Sequence, residues 1–170
     1  MEQIKYKISK QKKRFLQRMQ EFLNTTLYFY GSIQRYDYID NVSDIDVLIF
    51  TDNFENTLLL LNQYLILRSK QIKKIHTISQ DSKKTIINGY KINYRSDIIK
   101  LEISIYNNKN KKYILEHIRG DFNLPIYFTF CLYILKLINM VIPIPYNKIK
   151  RHIINKLYHK EPNTSFFIVS

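Results

Sequence analysis

The chain reads as an α+β protein in which a mixed central β-sheet is flanked by helices, with a further helical part towards the C-terminus. Three observations predict this class. Residues 28–50 hold two apolar strands separated by Gly31-Ser32 and a polar loop; residues 71–106 carry further strand patterns; residues 3–24 and 124–160 are helical in pattern. A strand, helix and strand in succession make a crossover, so parallel pairs are expected beside antiparallel ones.

Residues 3–24 form a basic amphipathic helix, with Ile4, Ile8, Phe15, Met19, Phe22 and Leu23 near one face and Lys5, Lys7, Lys10, Lys12, Lys13, Arg14 and Arg18 around the rest. The apolar stripe is expected on the sheet and the cations in solvent; a phosphate-binding role for the run 10–18 is the alternative. Tyr28 to Tyr30 is the first strand and Ile45 to Phe50 the second. Asp52 or Asn53 caps a helix through Glu55 to about Arg68, whose Leu58 to Leu61 run is core material. Residues 71–79 are a strand, and 85–94 read as a hairpin turning at Asn88-Gly89.

The strand over 98–106 sets Glu102 and Ser104 on one face and Leu101, Ile103 and Ile105 on the other. Residues 107–112 are a polar turn, which divides a core of residues 1–110 from a helical part, 111–160, packed on it; 161–170 is read as a tail. Residues 124–141 are almost wholly apolar. Lys136 near their middle would be costly in a bilayer, so a buried helix is expected there and not a membrane span. Pro143 and Pro145 end it. Tyr146 to Lys160 is a last helix with Ile149, Ile153, Ile154 and Leu157 inward. Its outer face, with Lys148, Lys150, Arg151, Lys156 and Lys160, either holds a nucleic-acid backbone or is solvated.

With 27 Lys+Arg against 14 Asp+Glu, the 170 residues have a formal charge of +13, which suits a polyanionic partner. A composition rich in Ile, Lys, Asn and Tyr, such as AT-rich coding produces, gives the same bias. Cys131 is the one cysteine, so a disulfide framework and a cysteine metal site are excluded and an intracellular, cytoplasmic location is expected. The charged N-terminus is not followed by the apolar block of a cleavable signal. His76, His117, His152 and His159 lack metal-ligand spacing.

The chemistry concentrates in residues 28–50. Asp44 and Asp46 are one residue apart at the start of a strand and therefore point the same way. Carboxylates that close raise one another's pKa unless a cation lies between them. Oxygen ligands of this kind suit Mg2+, and paired divalent ions can clamp the oxygens of a phosphoryl displacement.

This order of residues, apolar strand, Gly31-Ser32, polar loop, Ser43-Asp44-Ile45-Asp46 and the apolar strand Val47-Leu48-Ile49, resembles the DNA polymerase beta-like nucleotidyltransferases. The resemblance implies their palm-like sheet, with Glu102 as a third acid where polymerase members usually carry aspartate. It implies that Asp44, Asp46 and Glu102 are catalytic and hold two Mg2+ or Mn2+ ions, and that Gly31, Ser32 and Arg35 bind the triphosphate of an NTP or dNTP. Glycine lets phosphate approach the chain, and backbone N–H groups after Gly31 add to the anion site. The implied reaction moves a nucleoside monophosphate to an acceptor hydroxyl and releases pyrophosphate. Charge favours a nucleic-acid acceptor contacted by Lys148, Lys150, Arg151 and Lys156; a protein or small-molecule acceptor, or a catalytically degenerate binding member, is the alternative.

Overall fold

A computed structural model describes residues 8–78, 86–122, 124–158 and 167–169. Helix α1 (Lys10–Leu23) leads into β1 (Tyr28–Tyr30), β2 (Ile45–Thr51), α2 (Phe54–Leu65), β3 (Ile72–Ile78), β4 (Ile86–Arg95), β5 (Lys100–Asn107), α3 (Lys111–Phe122), α4 (Ile126–Val141), α5 (Tyr146–Tyr158) and β6 (Phe167–Val169). The six strands form one sheet in the order β1-β2-β5-β4-β3-β6. β2 and β5 pair in parallel and every other pair is antiparallel, which is the mixed α+β sheet expected from the sequence.

Alternation along β2 and β5 divides the sheet into two faces. On one, Ile45, Val47, Ile49, Leu101, Ile103 and Ile105 pack with Leu16, Met19 and Leu23 of α1 and Leu61 and Leu65 of α2. Each such side chain removed from water contributes about 1.5–3 kcal/mol. On the other, Leu48, Phe50 and Tyr106 meet Ile75, Ile87 and Ile114 of α3. Positions 46, 102 and 104 share this second face, which α3 covers only in part.

The helices start and stop for local reasons. The Ser9 hydroxyl accepts from the Lys12 N–H at 3.3 Å and the Asn53 side chain from the Asn56 N–H at 3.0 Å, each capping the helix that follows. Asn24 (φ 47°) and Ile66 (φ 53°) end α1 and α2 in the left-handed conformation, so α2 stops short of the expected Arg68.

The structure departs from several local expectations. Residues 85–94 are not a hairpin: Ile86–Arg95 is one ten-residue strand with Gly89 in its interior, opposite both Ile75 and Tyr106. A Cβ there would meet the Ile105 carbonyl oxygen at 2.6 Å and the Tyr106 ring at 2.8 Å, so the glycine serves a close approach and not a turn. The run 124–141 is not a buried helix. α4 buries Phe128, Thr129, Leu132 and Lys136, while Tyr127, Phe130, Ile134, Leu137, Ile138, Met140 and Val141 are exposed.

Lys12, expected in solvent, is buried, whereas Phe22, expected in the stripe, is exposed and Leu16 takes its place. Of the Leu58 to Leu61 run, Leu61 is fully buried and Leu59 is exposed. Within residues 161–170, Phe167–Val169 forms β6, paired with β3, and the others lie outside the described residues. No helix among the described residues is long and apolar enough to cross a membrane.

Candidate active site

Gly31 to Gln34 form a single 3-10 turn at the end of β1. Gly31 has φ +71°, and a Cβ on it would come within 1.9 Å of the Asp46 Oδ2. Glycine is thus required twice over, by the backbone and by the carboxylate packed against it. Ser32 and Ile33 are buried behind this turn.

The acids lie in a row across the sheet. Tyr30 is opposite Asp46, Asp46 opposite Glu102, and Glu102 opposite Asn93, so side chains from four adjacent strands share one face. Asp44 immediately precedes β2, close enough for its charge to act on Asp46. Burial, then the negative charge of Glu102, and also that of Asp44, push the Asp46 carboxyl up to about 7, against the pull of Lys150 and Arg35. Tyr30 is raised well above the ordinary phenol value by burial and by Asp46 and Glu102; its hydroxyl lies 3.4 Å from the Ser104 hydroxyl.

Two partners were not legible in the sequence. Glu102 forms a 2.6 Å ion pair with Lys91, which sits opposite Ser104 on β4 and reaches it diagonally. Arg35, expected on a triphosphate, is buried with its Nε 2.9 Å and a terminal nitrogen 3.2 Å from the two oxygens of Asp37. Asp37 is fully buried. Burial opposes its charge, but Arg35 and Lys136 hold its carboxyl below the ordinary range.

The Lys136 ammonium is 3.1 Å from Asp37 Oδ2 and donates to the Asp37 carbonyl at 2.6 Å and to the Ser43 hydroxyl at 3.0 Å. From the other side, Lys12 of α1 pairs with Asp40 and donates to Asn41 Oδ1 at 2.8 Å. Two helices from distant parts of the chain therefore pin the loop that ends at Asp44. The signals for this were a lone lysine in an apolar run and an Arg-x-Asp spacing.

Among the described residues no three His, Cys, Asp or Glu side chains are gathered closely enough to hold a metal ion. Asp44 and Asp46 nonetheless fit a hard divalent cation: both offer carboxylate oxygens, and burial with the neighbouring charges of Glu102 and Asp44 makes the charged form of Asp46 costly until a cation joins them. Glu102, engaged by Lys91, is not gathered with them here.

Lys150 of α5, expected on an outer face, is close enough to lower the Asp46 carboxyl, whereas Lys148 is exposed. The side chains of Arg151 and Lys156 lie outside the described residues, as do those of His117 and His159. His76 lies 2.7 Å from the Asn88 side-chain oxygen.

The family model for the nucleotidyltransferase domain matches residues 8–119, which contain the whole row of acids. The chain belongs to the nucleotidyltransferase domain family. Among solved structures, this nucleotidyltransferase is similar to the Cid1 poly(U) polymerase with Mg and 3'-dATP bound (18% identity over 79% of this chain and 43% of that one, TM-score 0.43). A cytoplasmic RNA terminal U-transferase is similar at 17% identity over 79% of this chain and 42% of that one, TM-score 0.44. The GLD-2/RNP-8 complex is similar at 13% identity over 93% and 63%, TM-score 0.44. The chain thus spans less than two thirds of each of these structures. No curated protein matches it.

Proposed function

We propose that this nucleotidyltransferase moves a nucleoside monophosphate from an NTP or dNTP to a nucleic-acid hydroxyl, with Mg2+ or Mn2+ as cofactor and pyrophosphate as leaving group. The observation that carries the reading is Asp46, opposite Glu102 on one sheet face and one residue beyond Asp44, packed against a glycine turn that only a residue without a Cβ can make.

Asp44 and Asp46 would hold the metal, which when bound neutralises the carboxylates and polarises phosphoryl oxygens. The chain's own work is positioning and charge complementarity. The turn at Gly31 and Ser32 lets the Asp46 carboxylate pack directly against the backbone, where the N–H groups of a turn can meet a phosphate. Arg35, committed to Asp37, and the nearby Lys150 contribute positive charge on the side of the turn, as their effect on Asp46 indicates. Lys12 and Lys136 act through the loop of residues 37–43, which they hold so that Asp44 enters β2 in one register.

Labelled nucleoside triphosphates with Mg2+ or Mn2+, offered a single strand, a primer–template or no acceptor, test the reading. Extension of a strand that is lost in Asp46→Asn supports it. Label appearing on the protein itself points to a protein acceptor. The Glu102–Lys91 pair favours a second reading, a binding member without turnover, for which nucleotide binds but no acceptor is extended.

A further inference from the structure

Behind the sheet, on the side away from the carboxylates, α1 carries Lys10, Arg14 and Arg18 at intervals of four residues, which places them in a row about 6 Å apart along the helix axis. All three are exposed, and none makes an ion pair among the described residues. They line one wall of a groove of about 550 Å³, together with Phe15, Tyr64 of α2 and Ile98 of the β4–β5 connection. Phe15 and Tyr64 are half-buried and packed edge to face at 5.4 Å, with the Tyr64 hydroxyl donating to the Phe15 carbonyl at 3.0 Å. Held rings beside a row of cations without an ion pair among the described residues make a platform with a charged rim.

Ile98 also lines a second, smaller cavity whose other walls include Ser43 and Lys100. Ser43 immediately precedes Asp44. The large groove thus shares one side chain, Ile98, with a smaller cavity that reaches Ser43.

We propose that this groove binds the sugar–phosphate backbone of a single-stranded nucleic acid, with Lys10, Arg14 and Arg18 on successive phosphates and Phe15 and Tyr64 against bases. A basic track beside aromatic rings is the chemistry that holds single strands without reading their sequence. The charge of the whole chain, +13, steers a polyanion towards it. Ile98 borders both cavities and Ser43 borders the smaller one, so a strand seated in the groove can continue round this edge of the sheet towards Asp44; this continuation rests on the proposed transfer reaction, whereas binding itself does not.

The test is the affinity of the full chain for a fluorescent single-stranded RNA and for the DNA of the same sequence, measured against salt with chelator present and no nucleoside triphosphate. Replacing Lys10, Arg14 and Arg18 together by Gln should weaken binding at least tenfold at low salt. It should also flatten the plot of log affinity against log salt by about 2, since each single-strand phosphate contact contributes about 0.7 to the slope. Lys13→Gln with Lys73→Gln and Lys74→Gln removes the same charge from exposed positions outside the groove and should leave the slope unchanged. Binding of both strands supports recognition through phosphate and base face; binding of the RNA alone adds the 2'-hydroxyl to what the groove holds. An unchanged triple variant, an equal loss in the control, or no binding of either strand at low salt overturns the proposal. Because metal and nucleotide are left out, that failure leaves the transfer reaction standing, and failure of transfer leaves the groove standing.

Discussion

Lys136 and Asp37, 99 residues apart in the chain, meet in the interior, where the lysine ammonium takes both a carboxylate oxygen and the backbone carbonyl of the aspartate. Arg35 completes a buried group of two cations and one anion behind the loop that delivers Asp44. Removing one member of such a group leaves the others in low dielectric without compensation.

Lys136→Met should therefore destabilise the protein by about 3 kcal/mol, the lower end of what breaking a buried pair costs, because Asp37 keeps Arg35. Lys136→Arg should lose less. The Asp37 carboxyl lies below its ordinary value, so its contribution is present at neutral pH and is lost as pH falls through and below about 4. Urea unfolding at pH 7 and at pH 3 checks this: the gap between wild type and Lys136→Met should narrow at the lower pH.

Asp46 has the opposite sign. Its carboxyl is raised to about 7, so its contribution to stability is full at low pH and is lost as pH rises through 7 in protein without metal. Asp46→Asn should melt higher than wild type at pH 8.5, by less at pH 5 and about equally at pH 3.5, a gain of no more than about 4 kcal/mol. Adding Mg2+ at pH 8.5 should raise the wild-type melting temperature and leave Asp46→Asn unmoved. Equal melting of the two proteins at pH 8.5 would remove the repulsion on which the metal site rests.

Glu102 and Lys91 are each about one third exposed, so their pair adds at most about 1 kcal/mol to stability. Its consequence should be seen in activity. Glu102→Gln is expected to lose the chemical step while nucleotide binding survives, and Lys91→Met, which releases the carboxylate, to lower the Mg2+ concentration needed for half-maximal rate several-fold. Mn2+, more tolerant of geometry than Mg2+, should support wild type at least as well. Full activity in Glu102→Gln would take this residue out of the reaction.

Gly31→Ala should abolish transfer and destabilise the fold by more than about 1–2 kcal/mol, the ordinary cost of a left-handed alanine, because its Cβ must also displace the Asp46 carboxylate. Ser32→Ala, whose backbone is unstrained, should retain the fold. Calorimetry of both variants separates the backbone requirement from the loss of a hydroxyl.

What the sequence by itself determined was everything carried by short-range periodicity. The period of two along 45–51 and 100–107 set Asp46 and Glu102 on one face and Ile45, Val47, Ile49, Leu101, Ile103 and Ile105 on the other, and the order of Gly31-Ser32 and Asp44-x-Asp46 identified the family. These signals survive because strand alternation and a glycine turn need no distant partner. Tertiary structure decided what depends on a neighbour. Asn88-Gly89 has the composition of a turn, yet packing against Tyr106 and the ladders to β3 and β5 made it mid-strand. Lys12 and Lys136 read as an exposed cation and an anomaly in an apolar helix; each is buried because an oxygen-rich loop comes to meet it. α4 is apolar on all sides, but α1, α2 and α3 already occupy the faces of the sheet, so one side of α4 finds cover among the described residues and the other does not. Periodicity shows which side of an element is apolar; only the positions of the other elements decide whether that side is covered, and which charge a buried lysine will meet.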